Sequence, residues 1–212
     1  MADQKIILYA DDQRKEDFLS RILPERFQVL AENSLKSLNT DCTAYFFLMD
    51  ITPDFFSAIK LNTDTPVFID AINFTLGDFP KANPIAILNG WPGFLKNDLL
   101  EISYSDVDQP QIENFLNKVR WKFTRIADQA GLAVPRVVSM MINEACFAVA
   151  ENVSTPEEID VSMKIGTNYP YGPFEWSRII GPNRIISLLQ VLQKENPRYQ
   201  PAFGIDKILQ EA

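Results

Sequence analysis

TPEEIDVSMKIGTNYPYGPFEWSRIIG, residues 155–181, reads as a capped helix followed by a shorter one. Thr155 can cap, Pro156 suits a first helical turn, and Glu158 completes a capping box. Gly166 predicts the stop of that helix. A short helix is predicted after Pro173, ending near Gly181, and Pro182 opens another through about Gln193. Upstream, Pro135 suits a first helical position, and the segment that follows runs to about Glu151. There Val138, Met141, Ile142, Ala145, Val149 and Val153 recur at three- and four-residue spacing. From Ala130 onward the pattern is helical throughout.

Before that point the pattern is different. Short apolar runs stand at Ile6–Tyr9, Phe27–Leu30, Tyr45–Met49, Val67–Ile69, Ile85–Leu88 and Leu99–Ile102. Continuous apolar runs of this length read as buried parallel strands. Glu16–Ile22 and Phe55–Leu61 are predicted as short crossover helices. A longer helix is predicted over Gln109–Phe123, with Ile112, Phe115, Leu116, Val119 and Phe123 on one face. The fold class is therefore α/β plus all-α, with an α/β domain over 1–128 and a helical domain over 129–212. A helical domain of this size is small for self-sufficient burial, so it is expected to pack on the first domain, on a second copy, or on both.

Composition restricts the chemistry. Among 212 residues there are 20 Lys+Arg, 28 Asp+Glu and no histidine. Ser-His-Asp and Cys-His catalysis are excluded, as are histidine-ligated metals, and no side chain has an ordinary pKa near neutrality. The net charge of -8 argues against nucleic acid and anionic membrane as partners. No secretory leader is read at the N-terminus, and no apolar run approaches a membrane span. Cys42 and Cys146 share no motif, and no metal site is expected. A cytoplasmic protein is the expectation.

Residues 128–200 resemble the C-terminal domain of the 3-hydroxyacyl-CoA dehydrogenase family. Asp128-Gln129-Ala130-Gly131-Leu132-Ala133-Val134-Pro135-Arg136 resembles the family's entry into that domain, and Asn143-Glu144-Ala145 falls on its first helix. The densest agreement is Gly166 with Tyr169-Pro170-Tyr171-Gly172-Pro173-Phe174-Glu175. PIAILNGWPGFLKNDLLEIS, residues 84–103, resembles the family's segment around its catalytic histidine. The resemblance implies a shortened Rossmann-like N-terminal domain, followed by a helical 3-hydroxyacyl-CoA dehydrogenase C-terminal-type domain. It also implies NAD as cofactor, an acyl-CoA-type substrate of fatty acid metabolism, and a homodimer formed through the helical domain.

The family's catalytic positions fall on Asn89, in place of the histidine, and on Glu101. A carboxamide can hydrogen-bond a substrate oxygen but has no useful proton affinity near neutral pH. Asn89 equally suits a turn in NGWPG. Glu101 without a histidine reads as a strand-end carboxylate. The glycines of the family's dinucleotide loop fall on Ala10, Asp12 and Lys15, where side chains obstruct the pyrophosphate. Asp11 or Asp12 is expected to cap the helix that follows, while Arg14 and Lys15 offer a weak phosphate-binding signal. Pro135 replaces a family asparagine. Thr75 has a hydroxyl for substrate contact or loop capping. Lys96, Asp98 and Tyr104 are open as replacement bases. Three functions follow: a catalytically degenerate relative that keeps an acyl-CoA-type or other small ligand, an active NAD-dependent oxidoreductase with an atypical site, and a non-enzymatic dimeric scaffold. No cofactor is read from the residues themselves.

Overall fold

The computed structural model describes residues 4–32 and 41–212. They divide into two compact units at Leu132 and Ala133. In the first, strands β1 (Gln4–Ala10), β2 (Phe27–Glu32), β3 (Ala44–Leu48), β4 (Val67–Ile69), β5 (Ile85–Leu88), β6 (Leu99–Tyr104) and β7 (Lys122–Arg125) make one sheet. Its order is β2-β1-β3-β4-β5-β6-β7. Strands β1 to β5 run parallel, β6 is antiparallel to β5, and β7 is parallel to β6. The chain leaves β1 to one side for β2 and returns to the other for β3. A topological switch point therefore lies between β1 and β3, the place where open α/β sheets receive ligands.

The alternation of side chains in these strands explains why both sheet faces are buried. Ile6 and Leu8 of β1 face one way, with Phe46 and Leu48 of β3. Ile7 and Tyr9 face the other, with Tyr45 and Phe47. Helices α1 (Asp12–Leu19) and α3 (Gln109–Val119) cover the first face through Phe18, Ile112, Phe115 and Leu116. Phe46 stacks on Phe68 at 4.5 Å, with Phe18, Phe115 and Trp121 around it. The second face is covered by the five-residue helix α2 (Pro53–Ser57), a 3-10 turn at Leu76–Asp78, and their flanking loops.

The first two crossover helices begin earlier than expected, because Asp11 and Thr52 cap them. The helix expected over Gln109–Phe123 ends at Val119, where Arg120 takes a left-handed conformation with φ 61°. Trp121 is buried and Phe123 lies on β7, so the apolar period changes from helix to strand within five residues.

The second unit has helices α4 (Val134–Ala150), α5 (Pro156–Thr167), α6 (Pro173–Ile180), α7 (Pro182–Glu195) and α8 (Ile205–Glu211). Thr155 and Glu158 form the expected capping box. Gly166 does not stop α5. The helix continues to Thr167, and Asn168 ends it at φ 56°, the left-handed position that asparagine tolerates. Val153 is exposed beyond the end of α4. The dense YPYGPFE motif has a structural cause. Buried Asp160 accepts from Phe174 N at 2.8 Å and Glu175 N at 3.1 Å, so a side chain from α5 caps α6. Asn143 donates to Gln200 O at 2.9 Å and accepts from Ala202 N at 2.8 Å, tying the chain before α8 to α4.

Candidate functional site

The switch-point crevice is built from strand ends. Asp11 follows β1, Asp50 lies two residues beyond β3, Asp70 follows β4 and Gly90 lies two beyond β5. Asp11 is the N-cap of α1 and accepts from Arg14 N at 2.9 Å. That cap holds the first turn of α1 over the crevice, and Arg14 fills it. Its Nη1 lies 2.8 Å from Asp70 Oδ2, its Nη2 2.7 Å from Asp11 Oδ2 and 3.6 Å from Asp50 Oδ1. The Arg14 side chain is 2% exposed and that of Asp70 4%. Burial works against the guanidinium charge, but Asp70 foremost, with Asp11 and Asp50, raises the Arg14 pKa above its ordinary value. Gly90 donates to Asp70 Oδ1 at 3.3 Å, and a Cβ there would overlap the Asp70 side chain.

This arrangement does not fit a dinucleotide. A pyrophosphate needs glycine backbone at close range and free N–H groups at the helix start. Here Ala10, Asp12 and Lys15 stand at the glycine positions, and Asp11 has taken the Arg14 N–H. Arg14, the cation that was a weak phosphate signal, is bound by three carboxylates whose charge outnumbers its own. The sequence held a clue that periodicity alone passes over: KIILYAD, YFFLMD and VFID each end an apolar strand near an aspartate.

Asn89 and Glu101 are brought together on neighbouring strands, with Asn89 N donating to Glu101 O at 3.1 Å. Both are buried. The Asn89 side chain accepts from Trp91 N at 3.3 Å, the local turn bond that an asparagine in NGWPG supplies. Glu101 is the third residue of six in β6, not a strand-end carboxylate. Thr75 is a loop cap: its N and Oγ1 donate to Asp78 Oδ2 at 2.8 and 2.9 Å.

The three open base candidates are scattered. Tyr104 is three residues from Glu101 on the same strand, so the two face opposite ways. Its hydroxyl donates to Glu113 at 2.6 Å, and burial with that bond pushes its pKa up to about 12. The Asp98 side chain is 93% exposed and pairs with Lys122 at 3.6 Å. Lys96 lines a separate groove with Arg21 and Trp121. Pro135 sits in the first turn of α4, where a missing N–H costs nothing. Cys42 and Cys146 are both free thiols, and burial pushes Cys146 up to about 12.

Residues 131–211 match the family described as 3-hydroxyacyl-CoA dehydrogenase, C-terminal domain. A 3-hydroxyadipyl-CoA dehydrogenase of Escherichia coli is 43% identical over 79 residues, 36% of this chain and 17% of that protein. A 3-hydroxybutyryl-CoA dehydrogenase of Clostridioides difficile is 34% identical over 85 residues, 40% of this chain and 29% of its own length. The matched part is thus less than a third of either relative. The fold likeness reaches further. The structure of a 3-hydroxybutyryl-CoA dehydrogenase from Ralstonia eutropha aligns with TM-score 0.66 and 20% identity, over 86% of this chain and 70% of that one. The Mycobacterium tuberculosis protein FadB2 aligns with TM-score 0.73 and 12% identity, over 100% and 95%.

Proposed function

We propose that this chain, which belongs through residues 131–211 to the 3-hydroxyacyl-CoA dehydrogenase family, is a member that no longer transfers hydride. Buried Arg14 carries the reading. Its guanidinium and three aspartates occupy the crevice where a dinucleotide would lie. Asn89 stands where the family's base is expected and spends its carboxamide oxygen on Trp91 N. An amide cannot hold the proton that leaves a hydroxyl on oxidation. Cofactor position and base position are altered independently, and function resides in the site rather than the scaffold. The chain's remaining ligand is then an acyl-CoA-type molecule, and its partner a second copy bound through the helical unit.

The test is to mix the protein with NADH and acetoacetyl-CoA and follow NADH absorbance. No turnover above buffer is expected, while CoA thioesters raise the melting temperature and NADH does not. Turnover at ordinary enzyme rates of about 1 per second or more overturns the reading. The second reading, an oxidoreductase with an atypical site, is favoured by the relatives' names as dehydrogenases. The same assay decides between them. Light scattering tests the dimer separately.

A further inference from the structure

In the first unit three segments meet: residues 20–24 after α1, 96–98 before β6 and 119–122 from the end of α3 to the start of β7. They enclose a groove of about 450 Å³. Its charged lining is Arg21, Lys96, Arg120 and Lys122 against Asp98 alone. That excess of cations runs against the composition of the chain, which has 28 acidic and 20 basic residues. We infer that this groove binds a small phosphorylated anion.

Arg21 is built into the floor. Its guanidinium lies 4.4 Å over the Trp121 ring, and Nη1 donates to Leu95 O and Asn97 O at 2.6 Å each. These bonds consume the carbonyls that would repel an anion. Its Nη2 also reaches Asp98 O at 3.4 Å, so Arg21 braces two of the three loops. Burial lowers the Arg21 pKa, and an anion beside it would offset that cost. Lys96 and Arg120 make no ion pair among the described residues. Lys122 pairs with Asp98, but both side chains are largely exposed, and such a pair is worth little. Lys96, Arg120 and Lys122, on two of the three segments, are therefore available to one ligand above the Arg21 floor. Arg120 lines the groove from the position that ends α3. It occupies a left-handed position after α3, where glycine or asparagine is ordinary, at φ 61°. Phosphate suits the set because its several oxygens can each accept a charge-assisted bond from a different side chain. The groove's size lies within the range of small-ligand sites.

The test is calorimetric titration of the whole chain with pyrophosphate, inorganic phosphate and a phosphate monoester, each against sodium chloride at equal ionic strength. Saturable binding of at least one phosphate is expected, and the tightest identifies the form recognised. Arg120→Gly relieves the left-handed backbone, so it keeps the fold and raises the melting temperature while weakening phosphate binding about tenfold. Lys96→Gln, on an exposed side chain, weakens it by a similar factor. Heats no larger than those of sodium chloride overturn the inference. So does phosphate binding that both variants leave unchanged. Neither outcome bears on hydride transfer, since the groove and the Arg14 crevice share no residue.

Discussion

Arg14 is buried at 2% exposure with one carboxylate, Asp70, buried beside it and two more, Asp11 and Asp50, toward solvent. Removing the guanidinium leaves the buried Asp70 carboxylate without its neighbouring cation. Arg14→Met is expected to cost about 3–5 kcal/mol, the usual penalty for breaking a buried ion pair from one side. Urea unfolding measures it. The companion Arg14→Met/Asp70→Leu should recover much of the loss, because no buried charge then remains. Glu175 gives a pH signature. Lys164 first, with the Gly172 N–H, holds its carboxyl below the ordinary value. A depressed folded pKa contributes stability above the unfolded value and loses it as pH falls through the folded one. Glu175→Gln should therefore lower the urea midpoint at neutral pH and flatten its fall as pH drops through and below the usual glutamate range, so that the two proteins converge at the acid end. Cys146, pushed up to about 12 by burial, should resist a thiol reagent at mild alkaline pH until the chain unfolds. Fast labelling in the native state would show that the helical core is more open than described.

At the scale of elements, α5 and α6 depend on one another through Asp160. Gly172 has ordinary φ, so conformational freedom is not why it is glycine. It is glycine because a Cβ would overlap Asp160. Gly172→Ala is expected to destabilise by about 3 kcal/mol through overpacking, and Asp160→Ala by about 1–2 kcal/mol through loss of the cap. Thermal unfolding of each variant checks both. The elements were legible where a local signal and the apolar period agreed. Thr155-Pro156-Glu157-Glu158 announces α5, and all six apolar runs are strands. They were illegible where a side chain from elsewhere, or an unusual backbone angle, decided the end. Arg120 terminates α3 although its residue type gives no stop signal, and β7 follows unannounced. The site divides in the same way. The loss of glycine at Ala10, Asp12 and Lys15 is visible in one dimension. The convergence of Asp11, Asp50 and Asp70 on Arg14 requires the sheet order, which pairs β1 with β3 and β3 with β4.

For the whole molecule, the doubly covered sheet and the helical unit are those of the 3-hydroxyacyl-CoA dehydrogenase fold. Strand order still directs a ligand to the crevice between β1 and β3, as it does in any open α/β sheet. What differs is the occupant of that crevice. A guanidinium supplied by the chain's own α1 stands there, surrounded by carboxylates that disfavour phosphate. The most direct measurement is a fluorescence titration of the intact chain with NADH, read through energy transfer from tryptophan, with acetoacetyl-CoA present and absent. No saturable signal is expected under either condition. Saturable NADH binding with micromolar affinity would contradict it, because a dinucleotide would then be lying where Arg14 is placed.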